Sequence, residues 1–362
     1  MQLTPPQSAP PSKTPSIEDQ ERYSRQILFP GIGPEGQNRL AKAHVSIIGC
    51  GATGAAAASL LARAGVGTLT LIDRDFVEPS NLQRQVLFDE ADALEVLPKA
   101  EAARRKIAQF NSGIEVRPHI SDLVPENIAN LLGGSHLILD ATDNFETRYL
   151  INDFAVQQGT PWIYAAAIGA YAATMNVLPR TATAGDWQPT ACLACLFPKP
   201  PTGAVETCDT AGILSTAVNL AASIQVTEAL KFLTGQPALM RRTLLSFDLW
   251  TSERSEISAS TPRQDCDVCN HRNFTHLAGE NRPHITLCGR NSVQIHEHGR
   301  PINFAAMQDR LIPHGQVRFN DLLLRFERAP YTITLFADGR AIIQGTTDTT
   351  IARSLYARFI GS

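Results

Sequence analysis

The 362-residue chain is 43% hydrophobic and 19% charged, enough apolar material to bury a large core in one large domain or two ordinary ones. A formal net charge of −3 speaks against a general nucleic-acid or membrane-surface binder, because such proteins concentrate an excess of Lys and Arg. The opening MQLTPPQSAPPSKTPS lacks the charged and apolar regions of a secretory signal, and the chain has no apolar run of the roughly 18 residues that a membrane span needs. A cytoplasmic address is the expectation, and there seven cysteines are more readily thiols or metal ligands than disulfides.

In chain order, residues 1–17 are rich in Pro, Ser and Thr and read as a disordered tail. Residues 18–279 read as one large domain. Its strand-like runs are HVSIIG (44–49), TLTLID (68–73), EVRPHI (115–120), LILDAT (137–142) and WIYAAA (162–167), separated by longer stretches of helical period. That alternation predicts an α/β fold with a doubly wound, mostly parallel, Rossmann-like sheet. A long apolar helix is expected over 212–233 and a strand over 243–249, followed by an exposed polar segment at 252–264. Residues 280–362 read as a small α+β accessory domain: strand HITLCG, helix INFAAMQDRLI, strand QVRFNDLLLRFE, a hairpin through the DG of YTITLFADGRAIIQG, and helix TIARSLYARFI.

Between the first strand and its helix, IIGCGATG places Gly49, Gly51 and Gly54 in a GxGxxG arrangement, with Asp73 at the end of the next strand. The first glycine permits the tight turn and the second lets the backbone approach a phosphate. The helix N-terminus favours the anion, and Asp73 can reach ribose hydroxyls. A nicotinamide-dependent oxidoreductase uses the same fingerprint, but needs little beyond its ribose-binding acid at this point. Here DRDFVEPSNLQRQVLF follows. It is a polar cluster suited to a triphosphate, in which Arg84 can clamp phosphate bidentately, with Lys99 of LPKAEAARRK supplying a second charge at a helix start.

The pairs Cys192/Cys195 and Cys266/Cys269 have the spacing of a tetrahedral four-cysteine zinc site closed by two knuckles, which leaves no open coordination position and is structural. Cys208, in VETCDTAG just before a helix start, has the setting of an activated thiol.

RYSRQILFPGIGPEGQNRL, GCGATG, LIDRDFVEPSNLQRQ, PKAEAA, DATDNFETR, the two CxxC pairs and ETCDTAG stand in the order found in the MoeB/ThiF/HesA family, the bacterial relatives of ubiquitin-activating enzymes. The resemblance covers about residues 20–270. It departs at Ala52 and Thr53, where the family's loop usually reads GxGGxG; the methyl group at position 52 crowds the phosphate approach slightly. The resemblance implies an adenylyltransferase that uses ATP and Mg²⁺ to attach AMP to the C-terminal glycine of a ubiquitin-like sulfur carrier ending in Gly-Gly, of the ThiS or MoaD kind, with a sulfurtransferase as a further partner. It implies that Asp73 holds the ribose, that Asn81, Arg84, Gln85 and Lys99 contact the phosphates, and that Asp143 positions the metal. Arg25 resembles an arginine that family homodimers insert into the neighbouring subunit's site. Cys208 resembles a cysteine that in some members links covalently to the carrier.

Two rivals are kept at this point. The oxidoreductase predicts a catalytic His or Lys in a substrate domain. A zinc-stabilised nucleotide-binding scaffold would have no need of Arg84, Lys99 and Asp143 together. The accessory domain lacks a persulfide-forming cysteine loop, and a docking or dimer-stabilising module is expected of it.

Overall fold

The computed structural model describes residues 21–180, 187–200, 211–279, 285–288, 292–295 and 301–361. The tail predicted over 1–17 and the candidate thiol Cys208 lie outside these described residues.

After a helical turn at Ser24–Ile27 the first unit contains α1 (Gly33–Lys42), β1 (His44–Ile48), α2 (Ala52–Ala64), β2 (Thr68–Ile72), α3 (Lys99–Phe110), β3 (Glu115–His119), β4 (Leu137–Asp140), α4 (Phe145–Gln158), β5 (Trp162–Ile168), β6 (Tyr171–Val177), α5 (Ser215–Leu233), β7 (Thr243–Asp248) and β8 (Glu253–Ser258). The strands make one eight-stranded sheet in the order β3-β2-β1-β4-β5-β6-β7-β8. From β3 to β5 neighbours are parallel, and from β5 to β8 they are antiparallel.

The near-continuous apolar runs of β1, β2 and β4 are buried on both faces, as parallel strands under helices on either side must be. Small residues set the spacing of the helical layer. The buried Ala55, Ala56, Ala57, Ala58 and Ala62 of α2 share a core cluster with Ala222, Val226, Ala229 and Leu233 of α5, so the two backbones approach closely. The polar segment predicted over 252–264 is mostly exposed, with Ala259 buried, and it includes a strand. β8 pairs antiparallel with β7 and is exposed along its whole length, and its Glu253, Arg254 and Glu256 make it a charged edge that resists further pairing.

A second sheet follows: β9 (Ile285–Cys288), β10 (Ser292–Ile295), β11 (Gln316–Phe319), β12 (Leu323–Arg328), β13 (Tyr331–Phe336) and β14 (Ala341–Gln344), with α6 (Phe304–Leu311) and α7 (Thr349–Phe359). Its order is β11-β12-β13-β14-β10-β9, antiparallel throughout. The run expected as one strand, QVRFNDLLLRFE, is a hairpin. The Asn320 side chain accepts hydrogen bonds from the Leu322 and Leu323 amides at 2.9 and 3.0 Å, an Asx turn that reverses the chain between β11 and β12.

Both faces of this sheet are covered. Leu324, Phe326, Ile333, Leu335 and Ile343 pack under α6 and α7 with Phe304, Leu311, Tyr356 and Phe359. Their strand neighbours Leu323, Phe336 and Ile342 point the other way and pack on Phe76, Val96 and Ile120 of the first unit, as the period of two in a strand requires.

Candidate functional site

The chain order reverses at β1, which has β2 on one side and β4 on the other, and in doubly wound sheets the ligand crevice opens at the C-terminal ends of the strands flanking that point. The glycine loop joins β1 to α2 there. Gly49 has φ +89°, and a Cβ on it would lie 2.7 Å from the Ala141 carbonyl oxygen, so the turn out of β1 needs glycine for its own geometry. A Cβ on Gly54 would lie 1.8 Å from the Gly49 oxygen, which makes this glycine the condition for α2 to sit against the strand. Gly51, the N-cap of α2, has φ −71°, and a Cβ there would meet no atom of the described residues within 4 Å. Among the described residues no packing contact demands glycine at position 51, whereas close approach of a ligand to the helix N-terminus would.

Asp73 closes the crevice floor. Its carboxylate accepts the Cys50 amide at 2.6 Å and the Asp75 amide at 2.7 Å. Burial pushes its pKa up, with the Lys99 charge opposing. Lys99 opens α3 and is 4% exposed, and its Nζ donates to Asp75 Oδ2 at 3.1 Å. Burial alone would depress the ammonium, but Asp75, Asp73 and Asp143 outweigh it and hold the pKa above the usual lysine range. Cys50 is buried in the core beneath the loop, and burial pushes its thiol up, as befits a packing residue.

Asn81, Arg84 and Gln85 are buried on the turn after β2. Asn81 Oδ1 accepts the Glu78 amide at 3.2 Å and Arg84 Nη1 donates to the Ser80 carbonyl at 2.8 Å. Asn81 Nδ2 and Gln85 Oε1 are buried and have no hydrogen-bond partner among the described residues. Orphaned polar atoms of this kind are costly, and they suit a polar ligand drawn against this turn.

Asp143 is exposed in the loop between β4 and α4, close enough to Lys99 to raise its pKa. Two residues passed over in the sequence brace that loop. Asp140, fully buried at the end of β4, accepts from the Thr142 amide at 2.9 Å and hydroxyl at 2.7 Å and faces Arg148 Nε at 3.3 Å. Arg148 Nη2 donates to the Thr142 carbonyl at 2.5 Å. The available signal was an acid closing a buried strand with an arginine in the first turn of the next helix. Gln225 of α5 completes the brace, its Nε2 donating to the Asp140 and Ile163 carbonyls at 2.8 Å each.

Arg25 is not brought to this crevice. Its helical turn is tied to the far end of α2, where Gln26 Nε2 donates to the Ala64 carbonyl at 2.8 Å and the buried Tyr23 hydroxyl accepts from Asn111 Nδ2. The thirteen residues of α2 separate that end from the glycine loop by about 20 Å.

The four CxxC cysteines meet. Their Sγ atoms lie within 4.8 Å of one another, with separations of 3.8 Å for Cys192–Cys195, 3.6 Å for Cys192–Cys266 and 3.4 Å for Cys195–Cys269. None is disulfide-bonded. Thiolates about 2.3 Å from a tetrahedral ion would stand roughly 3.8 Å apart, so the donor set suits one metal ion. Hydrogen bonding among the crowded thiols splits their acidities: Cys195 is drawn down to about 7 and Cys266 further down, while Cys192 and Cys269 are pushed up. The cluster lies against α4, where Asn152 accepts the Leu193 amide at 2.9 Å and Asp153 the His276 amide at 2.9 Å.

Among the described residues no helix is long and apolar enough to cross a membrane. The ThiF family model matches residues 23–268. The chain is 44% identical over 344 residues to the sulfur carrier protein ThiS adenylyltransferase of Bacillus subtilis, covering 94% of this chain and 99% of that one. It is 39% identical over 254 residues to the sulfur carrier protein adenylyltransferase of Thermus thermophilus, covering 70% and 91%. Among solved structures, Escherichia coli MccB with ATP has the same fold at 23% identity and a TM-score of 0.58, covering 68% of this chain and 74% of that one. With the crevice and the four-cysteine cluster both where the motifs imply them, the chain belongs to the ThiF family.

Proposed function

We propose that the protein adenylylates the C-terminal glycine of a ubiquitin-like sulfur carrier of the ThiS type. The observation that carries the reading is the meeting of Lys99, Asp73 and Asp143 beside the open space above Gly51. A buried cation, a polar floor and an acidic loop surround a helix N-terminus that the protein leaves uncovered. The full-length similarity to a ThiS adenylyltransferase supports the same reading, and membership of the ThiF family sets the oxidoreductase rival aside.

In this reading the triphosphate lies over Gly51 at the N-terminus of α2, with the ribose on Asp73. Lys99 and Arg84 neutralise phosphate charge, and Asn81 Nδ2 and Gln85 Oε1 have polar groups to meet. The carrier's terminal carboxylate attacks the α-phosphorus, the new C–O–P link forms as the bond to the bridging oxygen breaks, and pyrophosphate leaves. Two anions must approach each other, so the residues act by neutralising and aligning, with little need for a general base. Asp143 would hold Mg²⁺, which would supply positive charge to offset that of the phosphates. Cys192, Cys195, Cys266 and Cys269 would hold Zn²⁺ as a structural clasp. Arg25 stands about 20 Å from its own crevice by the length of α2, which fits the role of reaching into a partner's site in a homodimer.

The test is ATP–pyrophosphate exchange with carriers ending in Gly-Gly. Exchange that requires the terminal glycine is expected; nucleotide binding without exchange for any such carrier refutes the reading.

A further inference from the structure

The C-terminal sheet lies against the segment that carries the ribose and phosphate residues. Phe76, two residues before Glu78 and three after Asp73, is 5% exposed and packs on Leu323, Phe336 and Ile342, with the Arg325 guanidinium 5.5 Å from its ring centroid. On its other side the same segment is stitched to the start of α3, where the Val77 amide donates to the Leu97 carbonyl and the Lys99 amide to the Asp75 carbonyl, each at 2.8 Å. The loop is therefore held between α3 and the second sheet.

A line of alternating charges crosses that contact. Arg340, at the β13–β14 turn and 1% exposed, donates from Nη2 to the Ile120 carbonyl at 3.1 Å and stands 3.6 Å from Asp122. Asp122 also takes a hydrogen bond from Gln294 of β10. Its other oxygen accepts from Arg74 Nη1 at 2.8 Å, Arg74 Nε lies 3.8 Å from Asp75, and Asp75 receives Lys99 Nζ at 3.1 Å. The path runs Arg340, Asp122, Arg74, Asp75, Lys99, with signs alternating at every step, from the accessory unit to the buried ammonium of the crevice.

We propose that the C-terminal unit is an intramolecular latch on the nucleotide-binding loop, and that Arg340 is a positioning residue that sets Lys99 through Asp122, Arg74 and Asp75. This rests on the adenylylation reading only for what Lys99 holds. The geometry explains why an added unit would be kept by an enzyme whose core works without one: the Thermus relative is matched over 91% of its length by 254 residues of this chain, which leaves it no room for such a unit. In this protein the Asp75 carboxylate both partners Lys99 and stands beside Arg74. Where Arg74 is held decides how tightly Asp75 competes with phosphate for the ammonium. Removing Arg340 frees one end of that line without touching any group that meets the nucleotide.

The experiment uses the full chain. ATP affinity is measured by calorimetry, and exchange kinetics with a Gly-Gly carrier, for wild type, Arg340→Met, Arg340→Lys, Asp122→Asn, Arg74→Gln and the Arg340→Met/Arg74→Gln double variant. Arg340→Met is expected to change the Kd and KM for ATP by about fivefold or more while kcat stays within about twofold. Arg340→Lys should restore part of the change, and the double variant should be no worse than Arg74→Gln alone, because residues in one network do not add. Asp122→Asn, nearly isosteric, gives the same reading if Arg340→Met folds poorly. A variant that melts lower but binds ATP as the wild type does, or a double variant whose effects add in full, overturns the latch. Because the Kd for ATP is read directly, the latch is decided even if exchange fails, and failed exchange in the wild type counts against the adenylylation reading alone.

Discussion

Two glycines three residues apart make opposite predictions for the same added methyl group. At Gly51 φ is −71°, outside the left-handed region that favours glycine, and the new Cβ would meet no atom of the described residues within 4 Å. Losing glycine's unfolded-state freedom stabilises by about 0.4–1 kcal/mol, and replacing glycine by alanine at an N-cap costs a similar amount, so Gly51→Ala should melt within about 2 °C of wild type. At Gly54 the same methyl would lie 1.8 Å from the Gly49 oxygen, a backbone atom that cannot swing aside. Relieving that overlap means moving α2 off β1 by more than an ångström. Overpacking of this severity costs about 3 kcal/mol or more, or roughly 6–12 °C in Tm for a unit of this size. Function should invert the order of harm per unit of stability. If phosphates lie over Gly51, its methyl takes the place of a phosphate oxygen and ATP affinity falls about tenfold or more, worth about 1.4 kcal/mol. The assays are thermal unfolding and ATP titration on both variants, with exchange kinetics on Gly51→Ala. A Gly51→Ala enzyme with wild-type affinity for ATP would refute the placement of the phosphates, and a Gly54→Ala protein with wild-type Tm would refute the packing argument.

Stripping metal with a strong chelator, or replacing Cys266 by Ser, should remove one zinc per chain by elemental analysis and lower Tm by about 5 °C or more; a metal-free protein that melts unchanged would show that the cysteine cluster is no clasp. Arg25→Ala should be inactive alone, as should Lys99→Met, and mixing the two should recover up to about a quarter of wild-type turnover, because half of a random mixture is heterodimer and one of its two sites is intact. A mixture as dead as its parents rules out the arginine acting in trans. The pKa of Lys99 is raised in the folded state, so its charge and the stability that goes with it are complete below the unfolded lysine value and are lost only as pH rises through the higher folded one. ATP affinity titrated from about pH 6 to 9 should therefore contain no step removed by Lys99→Met, which should weaken binding by a similar factor throughout. A step near neutral pH that vanishes in that variant would mean that the amine is not held as an ammonium.

The parallel sheet was legible because its signals are local. Apolar runs of five or six residues, each followed by a helical period, can bury both strand faces in few other ways, and the structure has β1 to β5 at those runs. The glycine loop was legible because its spacing encodes local geometry: Gly49 makes the turn, Gly54 the packing contact, and Gly51 faces open space among the described residues. The cysteine pairs were legible as one cluster because a CxxC knuckle carries its own geometry, and their sulfurs lie within 4.8 Å of one another. What the sequence concealed is relational. Asp122 and Arg340 have no spacing rule to join them, and the Arg340 contact with Ile120 spans 220 residues. The doublets Leu323-Leu324, Leu335-Phe336 and Ile342-Ile343 do hold a clue. Consecutive apolar residues in an antiparallel strand mean that both faces are covered, and the second face is the one on Phe76. The hairpin at Asn320 was missed because its turn rests on an Asx side chain within a long β-prone run, with no glycine or proline to mark it.

Buried polar groups gather at the crevice end of the first sheet. Its apolar core is mostly alanine, valine, isoleucine and leucine, whereas Asp140, Arg148, Gln225, Asn81, Gln85 and Lys99 are all buried at or beyond the C-terminal ends of the strands. For stability alone this is a poor use of the interior. Asp140 Oδ2 and Arg148 Nε are 3.3 Å apart yet neither makes a hydrogen bond, and a buried pair of this quality does no better than well-packed apolar residues of the same volume. What the pair does that leucine and methionine would not is fix direction. Asp140 fastens the amide and hydroxyl of Thr142, Arg148 fastens its carbonyl, and Asp143 is the next residue. The same reasoning applies on the other side of β1, where Asp75 and Arg74 give Lys99 a fixed place rather than the best-hydrated one. Both loops that flank the glycine turn are thus held by charge at the expense of packing, and among the described residues none reaches within 4 Å of a Cβ built at Gly51, in the space they frame.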